Sequence, residues 1–241
     1  MRIYSKIDIG KERSVNQDAF FAGEISEDIA FAVVCDGMGG ANAGEIASQT
    51  AVKTISEYII NSYRRKITIR DFLKILKNAI TSANITVYDM AQKDENLSGM
   101  GTTVVVAVVK GNEVAIAHVG DSRIYLVNDE ITQLTRDHSV VQTLIESGKI
   151  TPEDAKVHPR KNVITRAIGA ENDIIADTSV AELDGAKALL LCTDGLSSYV
   201  NDETILKVFK ENEAKDVPNK LIELANMAGG GDNITVVLIM L

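Results

Sequence analysis

The sequence predicts an α+β fold in which antiparallel sheets stack on one another and helices pack outside them. Three observations predict this fold. Several segments are continuously apolar, as strands covered on both faces are; some consecutive strands are joined by very short turns; and the helices come in adjacent pairs. Helices and strands do not alternate along the chain, which argues against a parallel α/β sheet.

Strands are predicted where Val, Ile and Leu dominate a short segment. These segments are 29–35, 102–109, 113–119, 123–127, 187–193 and 234–241. The connections 110–112 and 120–122 are too short for a crossover, since only antiparallel neighbours can be joined by such turns. We therefore expect the second, third and fourth of these strands to form an antiparallel meander.

Helices are predicted from capping residues followed by apolar residues at helical spacing. Asn42, Thr68 and Thr151 each precede such a segment and can cap it. The segments 201–212 and 216–227 have the pattern of a late helix pair. These helices occur in blocks before and after the strands, which favours helical layers outside the sheets.

Composition limits the classes of partner. The 241 residues include 25 Lys and Arg against 34 Asp and Glu, a net charge of −9, which argues against binding to nucleic acid or to anionic membranes. No apolar run approaches the ~20 residues of a membrane helix. Cys35 and Cys192 lie in apolar runs and are expected to be buried, reduced thiols. We expect one domain over residues 1–241, in a cytoplasmic monomer.

Aspartates recur at the ends of the apolar strands. Asp36 and Asp194 each follow one such strand and precede a glycine, Asp232 comes just before the last strand, and Asp121 lies in a turn. If these strands are neighbours, the carboxylates repel one another unless a cation neutralises them. Oxygen ligands suit Mg²⁺ or Mn²⁺. The alternative is that Asp-Gly only marks turns, which it commonly does.

A glycine-rich loop and an arginine are further candidates for binding phosphate and metal. The loop 37–40 lies between a strand and a helix but lacks the dinucleotide-binding spacing, and the Gly37 carbonyl is free to act as a ligand. Arg13 precedes the first predicted strand and would suit phosphate oxygens. A flexible helix entry and an ordinary surface arginine are the alternatives.

Other hydrolytic mechanisms can be tested by spacing. A cysteine-based tyrosine phosphatase needs an arginine six residues after its cysteine, where Ala41 and Ser198 stand instead, so it is excluded. The histidines lack metal-pair spacing, and His118 is expected to be a satisfied core residue. A Ser/His/Asp triad stays open, although no Gly-x-Ser-x-Gly motif is present.

The ordered set of motifs resembles the PP2C (PPM) family of metal-dependent protein serine/threonine phosphatases, in its bacterial form. The motifs are Arg13…Asn16-Gln17-Asp18, Asp36-Gly37-Met38-Gly39-Gly40, Gly101-Thr102-Thr103, His118-Val119-Gly120-Asp121-Ser122-Arg123, Thr135…Asp137-His138, Asp194-Gly195-Leu196 and Asp232-Asn233-Ile234-Thr235. The resemblance implies a four-layer α-β-β-α fold, with a central sandwich of two antiparallel sheets flanked by helix pairs.

The resemblance also implies a set of metal ligands. Asp36 would bridge two Mn²⁺ or Mg²⁺ ions, with the Gly37 carbonyl on one of them. Asp194 and Asp232 would complete the first site, and Asp18 would support the second directly or through water.

Further roles follow from the same resemblance. Asp121 would hold a third, looser ion, and Arg13 would grip the substrate phosphate, so that Arg13 and Asp36 are the expected catalytic residues. The segment from about 139 to 164 matches a flap that shapes substrate access. Met38 replaces a histidine proposed as general acid in many eukaryotic members, and no acid is assigned to that position.

The expected reaction is hydrolysis of phosphoserine or phosphothreonine by direct attack of a metal-bridging hydroxide. Phosphorylated proteins, including a Ser/Thr kinase, are the implied partners. The acid that protonates the leaving group is left open between metal-bound water and His138. Two alternatives remain: a catalytically silent phosphoprotein-binding module, and a phosphohydrolase acting on small phosphorylated metabolites.

Overall fold

The structure, a computed structural model, describes residues 1–40 and 43–241 and contains two antiparallel sheets. Its strands in chain order are β1 (Arg2–Asp8), β2 (Asp18–Ser26), β3 (Ile29–Met38), β4 (Gly101–Thr102), β5 (Val104–Lys110), β6 (Glu113–Val119), β7 (Arg123–Val127), β8 (Ile131–Gln133), β9 (Asp177–Glu182), β10 (Ala188–Cys192) and β11 (Ile234–Met240). The first sheet has the order β1-β11-β10-β7-β8. The second has the order β2-β3-β5-β6-β9, with β4 beside β3.

Among the described residues, two pairs of α-helices cover the outer faces of the sheets, and three short α-helices lie elsewhere. They are α1 (Ala43–Ser62), α2 (Ile69–Lys93), α3 (Val140–Glu146), α4 (Pro152–Val157), α5 (Asp194–Ser197), α6 (Asp202–Glu211) and α7 (Val217–Met227). Four of them cover the sheets: α1 and α2 pack together on the second sheet, and α6 and α7 form the pair outside the first. Helices α3 and α4 lie away from these faces, and α5 is a single turn after β10. No helix in the described part of the chain is both long enough and apolar enough to span a bilayer.

Three apolar layers hold these elements together. The middle layer joins the two sheets, with Val34 and Val105 from one sheet meeting Leu189 and Val237 from the other. The two outer layers lie between each sheet and its helices. Burial of this apolar surface is the main force that stabilises such a stack. The predicted four-layer α-β-β-α sandwich is thus confirmed.

Two of the predicted helix starts are observed as full capping boxes. Thr68 accepts a hydrogen bond from the amide of Asp71, whose carboxylate accepts one from the amide of Thr68. Thr151 and Asp154 make the same reciprocal pair at α4. The predicted cap at Asn42 lies outside the described residues. Both cysteines are free and buried, as predicted.

The predicted meander is wrong at its last connection. Strands β5 and β6 pair as expected, but β7 pairs with β10 and β8 in the opposite sheet. The turn 120–122 therefore crosses from one sheet to the other, since in a sandwich the end of a strand lies close to both sheets. As a consequence, Asp121 lies at the edge where the two sheets meet.

The flap segment, residues 139–164, contains α3 and α4, and its two ends are joined at its base. Ser139 and Ile164 form an isolated antiparallel bridge, and the amide of Val140 donates to the carbonyl of Val163 at 2.9 Å. The segment therefore leaves the sandwich and returns to it at a single place.

Candidate metal centre

The predicted site residues meet in one cleft at the edge of the sandwich. A cavity of about 240 Å³ is lined by Arg13, Asp36, Gly37, Asp121, Asp194 and Asp232, together with residues of the flap segment and the glycine-rich loop. The aspartates reach it because β3, β6 and β10 end at this edge and β11 begins there. Each sheet thus contributes acidic side chains to the same cleft.

Asp18 lies beneath this cleft and does not line it. It is the first residue of β2 and stands directly opposite Asp36 of β3 in the antiparallel register. Cross-strand partners place their side chains on the same face of a sheet, so both carboxylates point toward the same region. Only 5% of Asp18 is exposed, which places a carboxyl group in the protein interior.

The glycines after the aspartates are needed because two backbone segments approach closely. A side chain at Gly37 would lie 2.1 Å from the carbonyl oxygen of Gly44, and one at Gly195 would lie 1.9 Å from that of Asn233. The Gly37 amide donates to the carbonyl of Gln17 at 3.0 Å, which ties the end of β3 to the start of β2. The Asp-Gly pairs are therefore close-packing positions as well as turn signals.

The carboxyl groups of the cleft resist ionisation in the protein alone. Burial raises the pKa of Asp18 to about 7, and the negative charges of Asp194 and Asp232 add to the effect. Burial likewise raises the pKa of Asp194 to about 6 and that of Asp121 to about 8. The pKa of Asp36 lies well above its ordinary range because it is removed from water beside Asp18. A nearby cation would reverse this penalty.

Two buried oxygens of this site have no hydrogen-bond partner in the part of the chain that the structure describes. They are Oδ1 of Asp18 and Oδ1 of Asp194. Buried carboxylate oxygens without donors are costly, and a metal ion satisfies them. The donor set consists of carboxylate and carbonyl oxygens, which suits Mg²⁺ or Mn²⁺. The residues present therefore fit a hard divalent cation.

The spacing of the carboxylates favours hydrated ions. Among the described residues, the one set of three ligand-type side chains whose ligand atoms all lie within 4.8 Å of one another is elsewhere, at His118, His138 and Asp177. Among the described residues of the cleft, no three carboxylates come that close together, although Asp36 and Asp194 lie within hydrogen-bonding reach of each other. Mg²⁺ typically keeps several waters and uses one or two carboxylates, so this wider spacing suits it.

The histidine set is already bridged by an arginine. Nη1 of Arg166 lies 2.8 Å from Oδ1 of Asp177 and 3.2 Å from Nε2 of His138. The His118 ring stacks on that of His138 with centroids 4.7 Å apart, and its Nε2 bonds the carbonyl of Arg136. His118 is thus the satisfied core residue that was predicted, and a guanidinium takes the place of an ion here.

His138 is held by protein groups on both ring nitrogens. Its Nδ1 accepts from the amide of Gly120 at 3.1 Å, and its Nε2 lies 3.3 Å from Oδ2 of Asp177. Its carbonyl accepts from the amide of Thr165. Burial lowers the pKa of His138, which favours the neutral ring. The residue therefore ties the base of the flap segment to the turn that carries Asp121, and it does not present a free nitrogen to the cleft.

Three polar residues that support the site were given no role from the sequence. Thr193 and Thr235 both donate to Oδ2 of Asp18, at 2.9 and 2.7 Å. The side chain of Asn233 accepts from the amide of Gln17 and donates to two carbonyls of the loop before β2. Thr193 and Asn233 are next to predicted aspartates, and Thr235 lies three residues after Asp232. Asn233 and Thr235 also belong to one of the motifs that carry the family resemblance, which implied no role for them.

Arg13 is anchored at the rim of the cleft. Its Nη2 donates to Oδ2 of Asp232 at 2.9 Å, and its Nε donates to the carbonyl of Gly231 at 3.3 Å. Half of the side chain is exposed, so its remaining donors face the cleft opening and solvent. The arginine is thereby placed next to the acidic residues, where an incoming anion would meet it.

Comparison with known proteins agrees with this geometry. The family model described as Protein phosphatase 2C matches residues 10–223. A putative protein phosphatase 2C-type from Streptococcus pyogenes is 38% identical over 99% of this chain and 97% of its own length. The serine/threonine phosphatase stp of Listeria innocua is also 38% identical, over 97% of this chain and 93% of its own.

Solved structures show the same likeness. The serine/threonine phosphatase Stp1 from Staphylococcus aureus matches with a TM-score of 0.94 and 36% identity, covering 99% of this chain and 94% of that one. The catalytic domain of the serine/threonine protein phosphatase PstP, solved with two manganese ions, matches with a TM-score of 0.86 and 36% identity, covering 98% and 96%. Family model, relatives and fold agree, and the chain belongs to the protein phosphatase 2C family.

Proposed function

We propose that this chain is a protein serine/threonine phosphatase that depends on Mn²⁺ or Mg²⁺ and hydrolyses phosphoserine and phosphothreonine. The observation that carries the proposal is the pair of buried, unpartnered carboxylate oxygens on Asp18 and Asp194, set among further acidic side chains at one edge of the sandwich. Membership of the family, and the two manganese ions in the PstP structure, support the same reading.

Each ligand has a proposed place. Asp36 would be shared between two ions, and the Gly37 carbonyl would be a ligand of one of them. Asp194 and Asp232 would serve the first ion, and Asp18 would serve the second through the oxygen that its threonine partners leave free. Asp121, in the turn between the sheets, would hold a third.

When bound, the cations supply an activated water for direct attack on phosphorus and offset charge on the phosphate oxygens. The protein's own residues orient the substrate phosphate and limit which side chain can protonate the leaving group. Arg13 can donate from the free edge of its guanidinium to phosphate oxygens while Asp232 and the Gly231 carbonyl hold another edge. The occupied ring nitrogens of His138 argue against it as the acid for the leaving group.

The proposal extends to how the chain works as a whole. Residues 1–241 act as one phosphatase domain, with the flap segment as the part that contacts the substrate protein. Phosphorylated proteins are the substrates, and a Ser/Thr kinase that produces them is the proposed partner. Names of the relatives as serine/threonine phosphatases support the substrate class.

The test is metal-dependent phosphate release. The purified chain is expected to hydrolyse p-nitrophenyl phosphate and a phosphothreonine peptide with added Mn²⁺, and to stop when a chelator is added. Equal turnover with and without chelator would refute the proposal. Faster turnover of sugar phosphates or nucleotides than of the phosphopeptide would favour the alternative of a small-molecule phosphohydrolase.

A further inference from the structure

A second cavity continues from the metal cleft beneath the flap segment. It has a volume of about 330 Å³ and lies between helices α3 and α4 on one side and the first turn of α5 on the other. It shares Asp121, Asn162 and Asp194 with the lining of the cleft. A substrate residue bound over the carboxylates would therefore have its chain neighbours at the mouth of this cavity, called here the flap cavity.

The flap side of this cavity combines apolar side chains with polar and charged ones. Val141, Ile145, Pro152 and Ala155 line it, and none of them belongs to the hydrophobic clusters that hold the described sandwich together. Their apolar surface therefore does little for the core. Apolar surface kept at the edge of a cleft is typical of a binding site.

The rim of the flap cavity carries positive charge that the protein does not neutralise. The side chains of Lys156 and Lys161 make no ion pair with any residue that the structure describes. Arg123 on the floor differs, since it donates three hydrogen bonds of 3.0, 3.2 and 2.7 Å to the carboxylate of Asp137. In a chain of net charge −9, two unpaired lysines beside the cleft are available for an acidic partner.

We infer that the flap cavity binds the polypeptide next to the phosphorylated residue and selects an apolar side chain with an acidic residue beside it. The apolar side chain would pack on Ile145 and Pro152, while the acidic one would lie against Lys156 and Lys161. The inference rests on the proposed function and adds a sequence preference to it. The acidic floor does not oppose this preference, because Asp137 is neutralised by Arg123 and the other two acids are proposed metal ligands.

The charge preference is tested with paired peptides. Two phosphothreonine peptides differ only in carrying glutamates or lysines on both sides of the phosphothreonine, and p-nitrophenyl phosphate reports on the cleft alone. Wild type is expected to favour the glutamate peptide through KM. In the double variant K156E/K161E, the ratio of kcat/KM between glutamate and lysine peptides should fall about tenfold or more, because attraction becomes repulsion.

A control variant is available on α1, which packs outside the second sheet and lines no part of the flap cavity; its single substitution changes the net charge half as much as the double variant does. Lys53 is an exposed lysine of α1, and K53E changes net charge without touching the flap cavity. Its peptide ratio should equal that of wild type. The charge preference is refuted if K53E shifts the ratio of kcat/KM as much as K156E/K161E does. It is also refuted if K156E/K161E lowers kcat/KM equally for the two peptides.

The apolar preference has its own test. A peptide with leucine beside the phosphothreonine is expected to have a lower KM than the same peptide with alanine. Ile145→Ala deletes packing surface and should reduce this KM ratio about tenfold. An unchanged leucine advantage in this variant would overturn the apolar subsite. Metal-dependent hydrolysis of p-nitrophenyl phosphate distinguishes failure of the proposed function from failure of the peptide preference. Its absence from wild type refutes the proposed function, and its presence without any peptide preference refutes only this inference.

Discussion

Thr235 Oγ1 donates a 2.7 Å hydrogen bond to Oδ2 of Asp18, and it does so from the opposite sheet of the sandwich. Thr193 donates to the same oxygen, and both threonines are fully buried. Two donors on Oδ2 leave Oδ1 as the free oxygen and favour the charged carboxylate. The hydroxyl pair therefore decides which oxygen of Asp18 an ion would meet.

Replacing either hydroxyl should weaken metal binding. Thr235→Val is expected to lower Mn²⁺ affinity about 10–100-fold, because a group that orients a ligand is lost. Thr235→Ser keeps the donor and should bind Mn²⁺ nearly as wild type does. Titration calorimetry on the metal-free protein measures both, and melting of the metal-free variants reports any loss of packing. Equal affinities for the Val and Ser variants would contradict the role.

Asp36→Asn should separate activity from stability. Loss of the shared carboxylate is expected to cost about 10²–10³-fold or more in Mn²⁺-dependent phosphate release. The metal-free variant should melt no lower than wild type at pH 8, because a buried acid beside Asp18 and Asp194 has been removed. Asp89→Asn, on the exposed side of α2, is the control. Near-normal turnover of Asp36→Asn would refute its assignment.

The metal-free protein should become less stable as pH rises from 6.5 to 8.5. The folded pKa values of Asp18, about 7, and Asp121, about 8, lie above the ordinary 3.8, so the folded state holds protons that the unfolded state has lost. That stabilisation is complete below the unfolded pKa and is lost as pH passes through the folded values, by at most about 1.4 kcal/mol per pH unit for each group. The lowered pKa of His138 makes the folded protein more stable as pH rises toward 6.5, which is the opposite trend. The pH range of the experiment therefore starts at 6.5.

Thermal melts in chelator across this range measure the effect. Asp121→Asn should flatten the slope near pH 8, and Mn²⁺ should abolish most of it, because the ion replaces the proton. A melting temperature that rises with pH in chelator would show that these carboxyls do not carry raised pKa values in the folded chain.

Arg13 should affect turnover and metal binding in opposite directions. Arg13→Ala is expected to lower kcat/KM for p-nitrophenyl phosphate about 10–100-fold by removing a phosphate donor. It should bind Mn²⁺ at least as tightly as wild type, because Asp232 loses the guanidinium that now neutralises it. Arg13→Lys should retain part of the turnover. Weaker Mn²⁺ binding by Arg13→Ala would mean that the arginine supports the metal site instead.

The sequence reveals the centre of each sheet but not its edges. The six predicted strands correspond to β3, β5, β6, β7, β10 and β11, which occupy the inner positions of the two sheets. The four outermost strands, β1, β2, β8 and β9, were not predicted. Edge strands are partly exposed, so they lack the continuous apolar runs by which buried strands are recognised.

The site was predictable to a similar extent. Asp36, Asp194 and Asp232 could be found because acidic residues at the ends of apolar strands conflict with burial. Arg13 was a candidate from its charge, with an ordinary surface arginine as the alternative, and the resemblance added the role of Asp18. The support from Thr193 and Thr235 could not be predicted, since a threonine one or three residues away from an aspartate is ordinary in sequence. Their role depends on the stacking of two sheets, which no local pattern records. The crossing of 120–122 between sheets was missed for the same reason.

Because Asp18 lies opposite Asp36, the metal cleft forms only when strands β2 and β3 pair in the native register. Side chains alternate along a strand, so a slip by a single residue would turn the Asp18 position toward the wrong side and separate it from both threonines. A molecule trapped with such a slip could keep most of its secondary structure and still bind no manganese. Counting ions per chain would then measure what fraction of a refolded sample has reached the native alignment.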